Sequence, residues 1–112
     1  IEGYITKGAW EMSDMFHLKA IEIIARSLRS AVKGEDEGFA GMALGQYVAG
    51  MGFSNVGLGI VHSMAHTVGS LFHVAHGLAD AVILPYVIAF NSGAEYAKEK
   101  YAEMAKKLGL TQ

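Results

Sequence analysis

The run from Ser13 to Val32, SDMFHLKAIEIIARSLRSAV, places apolar side chains every three to four residues. Leu18, Ile21, Ile24, Ala25, Leu28 and Val32 recur on one helical face, while Lys19, Glu22, Arg26 and Arg29 mostly take the other. Ser13 is suited to cap the helix start, Asp14 sits favourably against the helix dipole, and Gly34 supplies the stop. A chain of 112 residues with one proline, no cysteine and abundant helix formers therefore reads as all-α, a helical bundle around a modest core.

Outward from this helix, Ile1 to Thr6 reads as the tail of an earlier one. The spacing predicts a second helix from Glu37 to about Gly52, in which Gly41, Gly45 and Gly50 offer close backbone approach to a neighbour. A third is expected from Ser54 or Asn55 through His62 and His66, followed by a turn over residues 69–74. A fourth spans about Ala75 to Phe90, with Pro85 expected to kink it. Ser92-Gly93-Ala94-Glu95 has capping-box spacing and opens a last helix with Ala97, Tyr101, Met104 and Leu108 on its apolar face, ended by Gly109.

Charge is unevenly spread. Of twenty Asp, Glu, Lys and Arg residues, only Asp80 lies between Gly38 and Ala94, so that span is expected to form a buried middle. With a net charge of −2 and basic residues scattered among acids, no nucleic-acid surface is expected. Residues 38–79 carry no formal charge, but Gln46, Ser54, Asn55 and four histidines interrupt every window of membrane-spanning length, so no membrane span is expected. The lack of cysteine suits a cytoplasmic protein. The opening Ile1-Glu2-Gly3-Tyr4 reads as a cut inside a longer protein, and a mean hydropathy of +0.28 fits a piece with apolar surface to cover, hence self-association into a homo-oligomer.

Four of five histidines, His62, His66, His73 and His76, fall within fifteen residues. Neutral imidazole binds divalent transition metals and transfers protons near neutral pH. In a helix, His62 and His66 project from one face, and His76 could reach back from beyond the next turn. If the turn before it is helical, His73 would align with His76. The run His62-Ser63-Met64-Ala65-His66 lacks the Glu of the zinc-protease motif, which disfavours that chemistry. Against a metal site stands a bland reading in which these imidazoles bond backbone carbonyls between helices. Four unpaired imidazoles in a charge-free span weigh toward the metal. His17, at the border of the first apolar face, reads as structural or solvent-facing. Asp80, one turn after His76, reads either as a carboxylate orienting that ring or as an acid favoured near a helix start.

The runs Gly41-Met42-Ala43-Leu44-Gly45-Gln46 and Gly52-Phe53-Ser54-Asn55-Val56-Gly57, then His62, His66 and His76-Gly77-Leu78-Ala79, resemble the iron-containing (group III) alcohol dehydrogenase family in its lactaldehyde reductase/propanediol oxidoreductase-like branch. The resemblance extends from Ile1 to about Leu110. It implies one part of a helical C-terminal domain that holds a divalent metal between one Asp and three His, next to an NAD(P)-binding α/β domain. His62 and His76 would be two of the metal ligands, and the remaining Asp and His would precede Ile1. His66 would face the nicotinamide and help relay the alcohol proton, and Phe53 would line the substrate pocket. The last helices of that domain would lie beyond Gln112. Thr67 stands where a proline is common, His73 where the family varies, and Asp80 where Asn is usual.

The implied chemistry is hydride transfer between a small alcohol or aldehyde and NAD or NADP, with Fe²⁺ or Zn²⁺ lowering the alcohol pKa. The chain alone is expected to be inactive. The competing reading is a self-standing helical, His-rich module that binds metal or mediates assembly.

Overall fold

Gly34, in the left-handed region at φ +85°, ends the first helix and turns the chain into the second, as expected. The computed structural model describes residues 1–110, and among them the elements are a 3-10 turn (Glu2–Ile5) and five α-helices. These are α1 (Glu11–Val32), α2 (Asp36–Val56), α3 (Ile60–Phe72), α4 (His76–Asn91) and α5 (Glu95–Lys107). The all-α expectation holds. The segment over Ile1 to Thr6 forms the short 3-10 turn, whose Glu2, Gly3 and Tyr4 are buried.

The tightest packing joins α1 to α2, and glycine makes it possible. A Cβ on Gly38 would meet the Ala31 backbone nitrogen at 2.1 Å, one on Gly41 would meet Ser27 Oγ at 2.0 Å, and one on Gly45 would meet Ile24 Cγ1 at 2.6 Å. Gly52 closes the row, where a Cβ would lie 2.5 Å from His17 Nε2. Gly50 differs from expectation, for it faces open space. Its spacing from Gly45 turns it away from the α1 side.

The buried face of α1 is also rotated from the one predicted. Ser13, His17, Ala20, Ile21, Ile23 and Ser27 are buried, while Leu28 and Val32 are 47% and 80% exposed. Small and polar side chains fit beneath α2 where the helices approach closely, and the larger Leu28 and Val32 do not. A small core of Tyr4, Ile21 and Met104, flanked by Ile5, Leu18 and Tyr101, ties the 3-10 turn and α5 to α1. Lys100 of α5 reinforces the tie. Its Nζ donates to the Tyr4 carbonyl at 2.7 Å and to Asp14 Oδ1 and Oδ2 at 3.0 and 2.9 Å.

Three expected helix starts move. α1 begins at Glu11, and Ser13 acts from the third helical position: its Oγ accepts from the Trp10 amide at 3.0 Å and donates to the Trp10 carbonyl at 2.9 Å. α3 begins at Ile60 because Asn55 belongs to α2, donating its Nδ2 to the Met51 carbonyl at 2.8 Å, and Gly57 at φ +80° breaks the chain there. Ser92 ends α4 instead of capping α5, since its Oγ donates to the Ile88 carbonyl at 2.7 Å. α5 opens after Ala94 without a side-chain cap and stops, as expected, before Gly109 at φ +72°. α4 continues through Pro85 as one helix.

α3 packs on α4 as a second helix pair. Here the charge-free span is not the buried middle that its composition predicts. Val61, Ala65, Ala79 and Val87 are buried, but Leu71, Phe72, Tyr86 and Phe90 are each more than two-thirds exposed. The chain exposes 7448 Å² in all, against roughly 6,000 Å² for a compact monomer of this mass. Among the described residues, no helix is long and apolar enough to cross a membrane.

Candidate metal centre

The site begins with a side chain sixty residues from the histidines in sequence. Glu2, buried in the 3-10 turn, reaches the start of α3. Its Oε2 accepts from the Val61 amide at 2.6 Å and its Oε1 from the His62 amide at 3.1 Å. These amides are the second and third of the helix, which no intrahelical carbonyl can satisfy, so Glu2 is a cap supplied from a distance. Gly59 ahead of them leaves room, since a Cβ there would lie 2.9 Å from Glu2 Oε2.

The same carboxylate fixes an imidazole. Glu2 Oε1 lies 2.7 Å from His62 Nδ1. A carboxylate only accepts, so Nδ1 carries the proton and Nε2 is left to face the other way. Burial pushes the Glu2 carboxyl toward neutrality, but hydrogen bonds from the His62 ring and from the amides of Val61, Gly59 and His62 outweigh it and hold its pKa below the usual value. Glu2 is therefore an anion at neutral pH.

His62 Nε2 points toward α4. There His76, the first residue of that helix, and Asp80, one turn on, close the group. Asp80 Oδ2 lies 3.1 Å from His76 Nε2 and 3.5 Å from His62 Nε2. One donor atom from each of His62, His76 and Asp80 lies within 4.8 Å of the others. Bonds of about 2.0–2.2 Å to one tetrahedral cation would hold donors roughly 3.3 Å apart, so this spacing suits a divalent first-row metal with mixed nitrogen and oxygen donors. Asp80 Oδ1 is buried with no hydrogen-bond partner. An orphaned carboxylate oxygen beside two imidazoles is what a cation would relieve.

His66, one turn after His62, completes a triangle of rings. Its centroid lies 4.9 Å from that of His76 and 6.4 Å from that of His62, while His62 and His76 are 5.3 Å apart. His66 is exposed and borders an open hollow lined also by Ala65, Gly69, Ser70, Val74 and His76. Phe53 is half-buried on α2 near Gly3, where an added Cβ would stand 3.1 Å from its own Cβ, and it does not line that hollow. The expected turn over residues 69–74 is shorter than predicted. α3 runs on to Phe72, with Thr67 Oγ1 donating to the Ser63 carbonyl at 3.0 Å. His73 takes a left-handed conformation at φ 54° that ends the helix, so the helical turn that would align it with His76 does not form.

His17 lies outside this group and is nearly buried, 3% exposed between Gly3 and Gly52. Sequence reasoning missed Glu2 altogether, because nothing local marks a carboxylate that caps a helix sixty residues away. It weighed Asp80 as a partner of His76 alone, whereas the structure sets it between two imidazoles.

Comparisons with known proteins agree along the whole chain. The model of the C-terminal part of the Fe-containing alcohol dehydrogenase family matches residues 1–112. Lactaldehyde reductase from Escherichia coli (strain K12) is 54% identical over 110 residues, covering 98% of this chain and 28% of that protein. NADPH-dependent butanol dehydrogenase from Clostridium saccharobutylicum is 44% identical over 110 residues, again across 98% of this chain and 28% of the relative. Among solved structures, a 1,3-propanediol oxidoreductase superposes with a TM-score of 0.80 at 33% identity, over 99% of this chain and 36% of that one. The chain thus spans little more than a quarter of the length of the curated relatives it matches.

Proposed function

Since the chain belongs to the Fe-containing alcohol dehydrogenase family, within its C-terminal part, we propose that it carries the metal-holding helices of an oxidoreductase acting on a small alcohol or aldehyde with NAD or NADP. The observation that carries this reading is the convergence of the His62, His66 and His76 rings, with His62 and His76 directing Nε2 atoms at a common carboxylate oxygen.

In this reading His62 and His76 hold the cation, which is Fe²⁺ or, given the same donors, Zn²⁺. When bound there, the cation would supply Lewis-acid polarisation of an alcohol oxygen, and a nicotinamide would supply the hydride chemistry. The rest falls to side chains of this chain. Glu2 keeps His62 in the tautomer whose Nε2 is free to ligate and fixes the orientation of that ring. In the same reading His66, exposed at the edge of the hollow, exchanges a proton between the reacting oxygen and water. Phe53, in the same reading, supplies an apolar wall to the substrate pocket of the assembled enzyme. The small-alcohol and small-aldehyde class follows the relatives, one of which is a lactaldehyde reductase and another a butanol dehydrogenase. The exposed apolar side chains of α3 and α4 favour assembly into a homo-oligomer, and a cytoplasmic location belongs to the same proposal.

Zinc titration of the chain, followed by thermal unfolding, tests the ligands. Metal at a hundred times its Kd stabilises by about 2.7 kcal/mol, and His62→Ala or His76→Ala should abolish that gain. An undiminished gain in both variants would sink the assignment. The chain is expected to remain silent with Fe²⁺, NAD⁺ and 1,2-propanediol, because two imidazoles and no nicotinamide-binding domain do not make a complete site; clear NADH production would contradict this.

A further inference from the structure

The position of Asp80 asks more of it than the orienting of one ring. His62 Nδ1 must donate to Glu2, since a carboxylate cannot donate. Its Nε2 therefore presents a lone pair when the ring is neutral, and that lone pair faces Asp80 Oδ2 at 3.5 Å. His76 Nε2 approaches the same oxygen at 3.1 Å. His76 Nε2 can relieve that oxygen by carrying its proton, but the His62 lone pair and the Asp80 carboxylate still face each other, and a positive charge between them removes that repulsion. Asp80 Oδ1 adds to the imbalance, being buried without a partner. The other charged group at this site, Glu2, is committed to His62 and the amides of Val61 and His62 and offers no compensation.

We propose that Asp80 is itself a metal ligand, so that His62, His76 and Asp80 form a two-histidine, one-carboxylate donor set contained in this chain. The proposal rests on reading His62 and His76 as ligands and extends it by a third donor on α4. The three are supplied by two helix turns only: His62 from the first turn of α3, and His76 with Asp80 four residues apart on α4. Such an i, i+4 pair projects from one helix face, and Glu2 locks the remaining ring. The carboxylate places one negative charge beside the cation and gives the orphaned Oδ1 a positive neighbour, which favours harder cations such as Fe²⁺, Co²⁺ and Mn²⁺ more than a purely nitrogen site would.

Co²⁺ added to the metal-free chain is the probe, with its visible absorption as the readout and no turnover required. The wild-type chain should bind one equivalent. Asp80→Asn, which keeps the shape and removes the charge, should weaken binding about 100-fold, at the upper end of effects measured for groups around metal sites. Unchanged Co²⁺ affinity in Asp80→Asn overturns the role of Asp80 while leaving the histidines standing. If wild type fails to bind Co²⁺ at millimolar concentration, or binds it as well after His62→Ala, the underlying site fails and this proposal with it. Proton NMR of the Co²⁺-loaded wild type gives a measurement independent of any variant's folding. The Asp80 β-protons should be hyperfine-shifted alongside the ring protons of His62 and His76, and unshifted β-protons would refute ligation.

Discussion

The α1–α2 and α3–α4 pairs are both helices joined by three-residue connections, yet they are built differently. α1 and α2 meet along a row of glycines so closely that an added methyl would strike backbone or side chain at Gly38, Gly41 and Gly45. In α3 and α4 no glycine is so confined: Gly77 faces open space, and the nearest atom to a Cβ on Gly69 would be the Val74 carbonyl oxygen at 3.2 Å. Burial follows the same division. The core of Tyr4, Ile21 and Met104 lies with α1, the 3-10 turn and α5, whereas α3 and α4 bury only small or medium side chains and present Phe72, Tyr86 and Phe90 to solvent. The candidate metal centre sits in the looser pair. Its rigidity must come from elsewhere, and the Glu2 carboxylate is the evident source, joining the well-packed half to the first turn of α3. Tight packing and chemistry are thus separated, bridged by one ionised side chain at the start of α3 and, at the end of α4, by Asn91 Nδ2 donating to Tyr101 Oη of α5 at 3.3 Å.

The largest effect should come from breaking the glycine row. Gly38→Ala would gain some helix propensity but force a methyl to 2.1 Å from the Ala31 nitrogen, which the backbone cannot yield. A net loss of about 3 kcal/mol is expected from such overpacking, measured by urea unfolding. Gly77→Ala in α4 should be neutral or slightly stabilising, because nothing lies within 4 Å. Equal losses in the two variants would erase the contrast between the pairs.

Next in size is Glu2→Ala, which leaves the amides of Val61 and His62 and the His62 ring without their acceptor. The expected cost is about 2–3 kcal/mol, but its location matters more than its size. Hydrogen exchange should speed at Val61 and His62 while Ile21 and Met104 keep their protection. Uniform loss across both pairs would mean that Glu2 supports the whole fold and does not bridge two halves.

These two variants also mark what the sequence could convey. All five helices were legible, α1 and α5 from apolar periodicity and the others from the spacing of glycines, histidines and turns, because those signals are local, and both ends of α4 fell within a residue of expectation. His62 and His66 were legible as one face of a helix, and His76 as their neighbour across a turn, for the same reason. Starts that depend on which of two competing backbone groups a polar side chain chooses were not legible. Asn55 and Ser92 look like caps, yet each bonds back to a carbonyl four residues earlier. The face of α1 was misjudged because glycines on a different helix decide what fits beneath them. Glu2 was invisible, its partners being set by tertiary packing, and the roles assigned to His66 and Phe53 came from family resemblance and not from any spacing.

Lys100→Met should have a smaller effect, confined to the well-packed half. The ammonium joins α5 to Asp14 and to the Tyr4 carbonyl and lies 4.3 Å from the centre of the Tyr4 ring. Its side chain is only 13% exposed, so the pair is less screened than a surface one. A loss of about 1.5 kcal/mol is expected, with the metal affinity of α3 and α4 unchanged. A matching fall in Co²⁺ affinity would show that α5 is coupled to the metal centre, with the Asn91–Tyr101 hydrogen bond as the route.

The least effect is expected from His17, and it should appear only as a slope in pH. Burial between Gly3 and Gly52, with both ring nitrogens unpartnered, disfavours the charged form and holds the pKa below the ordinary 6.5, with the amino terminus of Ile1 and Lys100 adding to the shift and Asp14 opposing it. Above 6.5 the ring is neutral whether the chain is folded or not, and His17 leaves stability independent of pH. As pH falls below that value, the unfolded chain takes up a proton that the folded chain refuses, so stability declines until the lower folded pKa is passed and then levels off. Unfolding free energies of wild type and His17→Gln, measured from about pH 7.5 to 5.5, isolate this term from other titrating groups. The wild type should lose stability more steeply toward acid than the variant. Parallel curves would place His17 in contact with water or an acceptor, and would make the polar centre of the α1–α2 interface as open as the α3–α4 pair.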